Sequence, residues 1–159
     1  EAESGDCFLG IDKSNLVFKM SEVTVVMRLL DGQFPEYRQV VPENQNITLS
    51  IDRRRLVDSL RRISILSSDR TLGLKLTLKS GTLRVNTSNP DLGEAKEDIE
   101  IDYSGSGMNV GFNARYLLDA LSTINTENVD LSLEDDLSPG VFRPSGVQEY
   151  TCVVMPMRL

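Results

Sequence analysis

An α+β fold, two helices lying on one side of antiparallel sheet, is predicted by three features of this 159-residue chain. The segment Asp52 to Ile63 aligns with Asn113 to Ile124, so that Leu56, Val57, Leu60 and Ile63 recur as Leu117, Leu118, Leu121 and Ile124. That spacing marks one buried helix face. Each helix follows a short strand pattern, Ile47 to Ile51 or Met108 to Phe112, and precedes alternating strands such as Leu74 to Leu78 and Val129 to Leu133. The unit β-α-β-β-β is therefore written twice in residues 46–159.

Taken in order, each element has a local cause. Asp52 and Asn113 are good N-caps, because their side-chain oxygens accept from the free amides of a first helical turn. Ser80-Gly81 and the stretch from Asp135 to Gly140 carry the turn residues that close hairpins. A third strand completes each half, around 94–103 and 150–156. Residues 1–45 fall outside the repeat. They hold strand-like runs near 8–11, 16–20 and 23–30, with a turn at 12–15 and no helix, too little to bury a core alone. A domain boundary is expected near Pro42 to Asn46, giving segments 1–45 and 46–159. The first residues, Glu1 to Asp6, have neither an initiating Met nor a signal-peptide pattern, and the chain is expected to be a piece of a longer one.

Composition excludes several chemistries. Histidine is absent, which removes imidazole bases, Ser-His-Asp and Cys-His nucleophiles and every His-containing metal site. Only Cys7 and Cys152 are present, read as reduced packing thiols, so neither a disulfide framework nor zinc is expected. No run of about 18 apolar residues occurs. Glu134-Asp135-Asp136 and Glu97-Asp98 could suggest a carboxylate hydrolase, but adjacent acids are usually just solvated. No phosphate loop, nucleophile elbow or metal-ligand spacing accompanies them. Neither catalytic residues nor a cofactor are expected.

Charge is segregated. The chain carries a net −7, yet residues 52–62 hold five Arg against two Asp, a net +3. Arg54, Arg55, Arg61 and Arg62 lie opposite the Leu56/Leu60/Ile63 stripe. Arginines in a first helical turn oppose the positive end of the helix dipole. The pattern fits either a solvated face with i, i+4 pairs or a surface for a polyanion. The terminal strand is similarly open to two readings. Val153, Met155 and Met157 alternate with Val154 and Pro156, which suits a core face with a protected edge or a mouldable surface for apolar anchors.

Three stretches decide between these readings: Leu29 to Glu43 (LLDGQFPEYRQVVPE), Gly111 to Leu121 (GFNARYLLDAL) and the terminal Val153 to Leu159 (VVMPMRL). In order and approximate spacing they resemble the bacterial DNA polymerase III β subunit family, the sliding clamps, along the whole chain. The resemblance implies a DNA-clamp fold, with 1–45 as the end of a middle domain plus linker and 46–159 as the C-terminal domain. It implies a processivity factor that encircles duplex DNA without sequence preference. Such a factor tethers polymerase, clamp loader and repair proteins through short motifs, in the bacterial cytoplasm and as a homodimeric ring. The alternative is an isolated peptide-binding adaptor that does not encircle DNA. Carried over by position, the peptide groove comprises Pro35, Val40, Asn113, Tyr116, Leu137, Val153, Met155, Pro156 and Met157. Gln39 departs from the Arg found in some relatives. The DNA-facing set is Arg54, Arg55, Arg61, Arg62 and Arg115. The subunit interface is Ile65, Leu66, Asp91, Glu94 and Glu97, where an apolar centre with a charged rim competes with a simpler reading as a helix end beside a solvated strand.

Overall fold

The computed structural model describes residues 6–32, 36, 40–42, 46–67, 72–147 and 149–159. The chain divides into two compact units between Glu36 and Tyr37. This division lies upstream of the 45/46 boundary expected from the sequence. The smaller unit is an antiparallel meander, β1 (Cys7–Asp12), β2 (Asn15–Met20) and β3 (Val23–Arg28). Lys13 and Ser21, both with positive φ, make its two hairpin turns. Apolar Phe8, Leu9, Ile11 and Val26 are all exposed on it. Three strands of six residues cannot by themselves enclose a core.

The larger unit follows the duplicated pattern. Its first half is β4 (Ile47–Asp52), α1 (Arg53–Ser64), β5 (Gly73–Lys79), β6 (Thr82–Asn89) and β7 (Gly93–Glu100). The second is β8 (Met108–Asn113), α2 (Ala114–Ser122), β9 (Asn128–Leu133), β10 (Gly140–Pro144) and β11 (Cys152–Val154). The N-caps act as expected: Asp52 Oδ1 accepts from the Arg55 amide at 2.9 Å, and Asn113 Oδ1 from the Arg115 amide at 2.9 Å and that of Tyr116 at 3.4 Å. Gly81, at φ +70°, supplies the left-handed residue of the tight β5–β6 turn.

The sheets, however, do not follow the repeats. They run β11-β10-β9-β4 and β7-β6-β5-β8, so each half lends its first strand to the other half's sheet. Helix starts repeat this exchange. The Arg53 amide donates to Glu127 O just before β9, and the Ala114 amide to Leu72 O just before β5, at 2.9 and 2.8 Å. The cap residues likewise pair with the opposite half, Asp52 with Asn128 and Asn113 with Gly73. A single buried cluster therefore joins both sheets and both helices, from Leu49 and Ile51 through Leu56, Leu60 and Ile63 to Phe112, Leu117, Leu121, Leu131 and Phe142. Neither half can be removed without stripping a strand from the other.

Candidate functional site

Helix α2 and strand β11 build an apolar groove of about 420 Å³. Its lining includes Tyr116 and Ala120 from α2 and Thr123 just after it, Cys152, Val153 and Val154 from β11 and Met155 just beyond it, and Tyr150. Leu117 and Leu121 are buried on one side of α2, which leaves the Tyr116/Asp119/Ala120/Thr123 side, at helical spacing, facing β11. The Thr123 hydroxyl donates to Ala120 O at 2.8 Å and accepts from the Tyr150 hydroxyl 2.5 Å away, tying the helix end to the segment that enters β11. Tyr116 stands 60% exposed and offers an amphipathic aromatic wall.

Of the nine residues expected in a peptide groove, the structure brings Tyr116, Val153 and Met155 together in this lining. Asn113 sits one turn before Tyr116 as the helix cap. Leu137, 64% exposed, lies in the β9–β10 loop, where Asp135 Oδ1 accepts from the Leu137 and Ser138 amides at 2.9 and 2.6 Å. These donors, with the Ser138 hydroxyl first among them, hold the Asp135 carboxyl below the usual carboxylate range. An acid read as merely solvated thus shapes the loop that presents Leu137. Val40 is 38% exposed and does not line the groove. Pro156 and Met157 run on beyond it, Met157 bonding to β8. Pro35 and Gln39 lie outside the described residues. The sequence reading missed Asp119, Ala120, Thr123, Tyr150, Cys152 and Val154, although the first three follow Tyr116 at helical spacing.

Of the two thiols expected to pack, Cys152 does so against the core and Cys7 does not. Cys7 is exposed on β1, and Cys152 is half-buried against the groove, where burial pushes its pKa up. Neither is in a disulfide.

The cationic face of α1 is present but partly committed. Arg54, Arg55, Arg61 and Arg62 are exposed, as is Arg115 on α2. Arg53 instead turns inward to the other helix, its guanidinium donating to Thr126 O at 3.1 Å and Leu121 O at 3.4 Å. This places a cation at the C-terminal end of α2, the favourable end of its dipole. Arg62 makes a two-pronged pair with Glu97 on β7, at 2.7 and 2.8 Å. That pair holds the Glu97 carboxyl low against an opposing burial effect. Two residues assigned to separate surfaces are therefore partners.

The expected interface residues lie on two elements, the end of α1 and the β6–β7 hairpin. Ile65, 76% exposed, and half-buried Leu66 follow α1, whose last turn Arg62 links to β7. Glu94 and Glu97 do not share a face: Glu97 points to the helix side with buried Ile99, and Glu94 to the side of Asp98. Asp91 lies in the β6–β7 turn, its amide held by Asn89 Oδ1 at 3.0 Å. Strand β7 ends its sheet, and Arg84 pairs with Asp98 upon it at 2.6 and 2.8 Å.

Among the described residues, no group of three or more His, Cys, Asp or Glu gathers into a metal site, and no helix is long and apolar enough to cross a membrane. Residues 38–158 match the family model described as DNA polymerase III beta subunit, C-terminal domain. The β sliding clamp of Pseudomonas putida is 40% identical over 138 residues, covering 87% of this chain and 38% of that protein. That of Escherichia coli K12 is 34% identical over 149 residues, 94% of this chain and 41% of its own length. The solved sliding clamp of Pseudomonas aeruginosa bound to griselimycin superposes with a TM-score of 0.82 at 34% identity, covering 98% of this chain and 42% of that one. The chain spans about two fifths of the length of the curated relatives it matches.

Proposed function

The chain belongs to the DNA polymerase III β subunit family, the bacterial sliding clamps, and from that premise we propose that it serves as the C-terminal part of a processivity factor. In this reading the whole protein encircles duplex DNA as a homodimeric ring in the bacterial cytoplasm. Its role is non-catalytic: it tethers the replicative polymerase, the clamp loader and repair proteins. One observation carries the reading: a duplicated scaffold turns one helix into a cationic face and sets the other beside an apolar groove. A topological tether needs those two surfaces, one for phosphates and one for clients.

Arg54, Arg55, Arg61 and Arg115 would meet phosphates, with Arg62 shared between DNA and Glu97. Such contacts give weak, salt-sensitive and sequence-independent affinity. Client motifs would seat an apolar anchor against Tyr116, Val153 and Met155, flanked by Asn113, Leu137, Pro156 and Met157, with Pro35 and Val40 added from the linker. Ile65, Leu66, Asp91, Glu94 and Glu97 would form the subunit contact. The terminal position of β7 supports this, since an edge strand offers unpaired backbone groups to a strand from another subunit. Residues 1–45 would close a preceding domain and lead into the C-terminal one.

The test is a chimera in which residues 38–158 replace the matching part of the Pseudomonas putida clamp. It is loaded onto nicked circular DNA, and retention is compared before and after linearisation. Retention lost on linearisation is the expected result. Equal retention on both, or none on either, overturns the clamp reading and leaves a peptide-binding adaptor that does not encircle DNA.

A further inference from the structure

Two strand glycines lie where no turn requires them. Gly73 opens β5 and Gly111 sits within β8, close together because Gly73 faces Asn113 and Lys75 faces Gly111 in the register. Neither has a positive φ. Their backbone would accept any residue, and glycine within a strand gives up both packing and conformational entropy. What they provide is room for another piece of chain.

Residues 157–159 cross at this point. The Met157 amide donates to the Gly111 carbonyl at 2.9 Å. A Cβ on Gly111 would collide with the Met157 carbonyl oxygen and touch the Leu159 side chain, and one on Gly73 would meet Leu159 Cδ2 at 2.5 Å. The segment thus leaves β11, at the edge of one sheet, and docks on β8, at the edge of the other. Val153 and Met155 line the groove immediately upstream of this anchor. In an extended chain, where residues advance by only about 3.3 Å each, a shift at Met157 is carried to Met155 two residues away.

We infer that Gly111 and Gly73 form a side-chain-free seat that fixes the C-terminal segment, and that Gly111 is a positioning residue for the docking groove although it does not line it. This role rests on the groove reading above. The two glycines are unequal. At Gly73 the obstacle is the end of a rotatable side chain, which can swing aside. At Gly111 it is a backbone oxygen, which moves only if the segment moves.

The test combines fluorescence anisotropy of a short labelled peptide carrying a leucine–phenylalanine anchor pair with amide hydrogen exchange at Met157. The unsubstituted protein is expected to bind the peptide and to protect the Met157 amide. Gly111→Ala should weaken binding at least about fivefold, the lower end of an overpacking effect, and abolish that protection while exchange in α2 stays unchanged. Gly73→Ala should change affinity by less than about twofold, because only a rotamer must adjust. A variant lacking Arg158 and Leu159 leaves both sheets whole and should also lose Met157 protection and peptide affinity. Full affinity in Gly111→Ala, full affinity in the shortened variant with Met157 unprotected, or an equal loss in both glycine variants would overturn the inference and leave the groove reading standing. Absence of binding by the unsubstituted protein would overturn the groove reading, and this role with it.

Discussion

The two halves of the larger unit share a skeleton and differ in what they turn outward. Helix α1 carries Arg54, Arg55, Arg61 and Arg62 on its exposed side, whereas α2 carries Arg115, Tyr116 and Asp119. Their buried sides are nearly interchangeable, Leu56, Leu60 and Ile63 against Leu117, Leu121 and the following Ile124. Each cap residue serves its own helix, and each helix start bonds to the opposite half. The lesson is that burial constrains one face of a helix and leaves the other open, so a duplicated fold can hold two unlike surfaces at no cost to its core. The sharing is not complete, because Arg53 has no counterpart at the start of α2, where Ala114 stands. Its guanidinium reaches across to the end of α2.

The largest expected effect probes the shared core. Leu60→Ala and Leu121→Ala should each destabilise the fold by about 2–5 kcal/mol, since both side chains are fully buried in one cluster. Urea unfolding should give similar losses in a single transition for this unit. Two separate transitions would break the equivalence of the halves. Next comes the groove. Tyr116→Ala should weaken binding of an apolar-anchor peptide by roughly 5–30-fold, as expected for an exposed aromatic wall, while leaving thermal stability unchanged. The same truncation at the matching position of α1, Arg55→Ala, should leave peptide affinity unchanged in the same titration.

Cap removal should cost less. Asp52→Ala and Asn113→Ala are each expected to lower stability by about 1 kcal/mol, read from thermal melts. The cationic face sharpens the contrast on another axis. In a complete ring, replacing Arg54, Arg55 and Arg61 by Ala should reduce the slope of log affinity against log salt by about 0.9 for every arginine that meets a phosphate. Arg115→Ala alone should change it by no more than one such step, and peptide binding should not respond to either. The smallest effect concerns pH. The folded-state pKa of Glu97 is depressed, so its contribution is present above the ordinary carboxylate range and is lost as pH falls through the folded value. Thermal melts should therefore show a shallower acid loss in Glu97→Gln than in the unsubstituted protein. An identical acid profile would mean that the Arg62 pair contributes nothing to stability.

Much of this was legible in the residues. The recurrence of the Leu56 set at Leu117 marked both helices, Asp52 and Asn113 marked their starts, and Ser80-Gly81 marked a hairpin that closes with Gly81 at positive φ. The terminal Val153/Met155 alternation was open to two readings in the residues alone, and Val153 and Met155 are found lining the groove. Other features had no sequence signal of the same kind. Nothing in the sequence marks Gly73 and Gly111 as the place where Met157 and Leu159 come close. Glu94 and Glu97 were grouped by the family resemblance, but three positions along a strand puts them on opposite faces. Asp135 looked like one of several solvated acids, and only its bonds to 137 and 138 distinguish it.

The sequence by itself determined which residues form helices and strands, which face of each is buried and where positive charge collects. These follow from side-chain period and from capping chemistry, both of which act within a few residues. Tertiary structure alone decided that β4 and β8 exchange sheets, that Arg62 meets Glu97, that Arg53 caps the other helix and that the C-terminal segment seats on two glycines. The physical reason is that hydrophobic burial is non-directional: a pattern states that a face leaves water, and only packing selects the surface it meets.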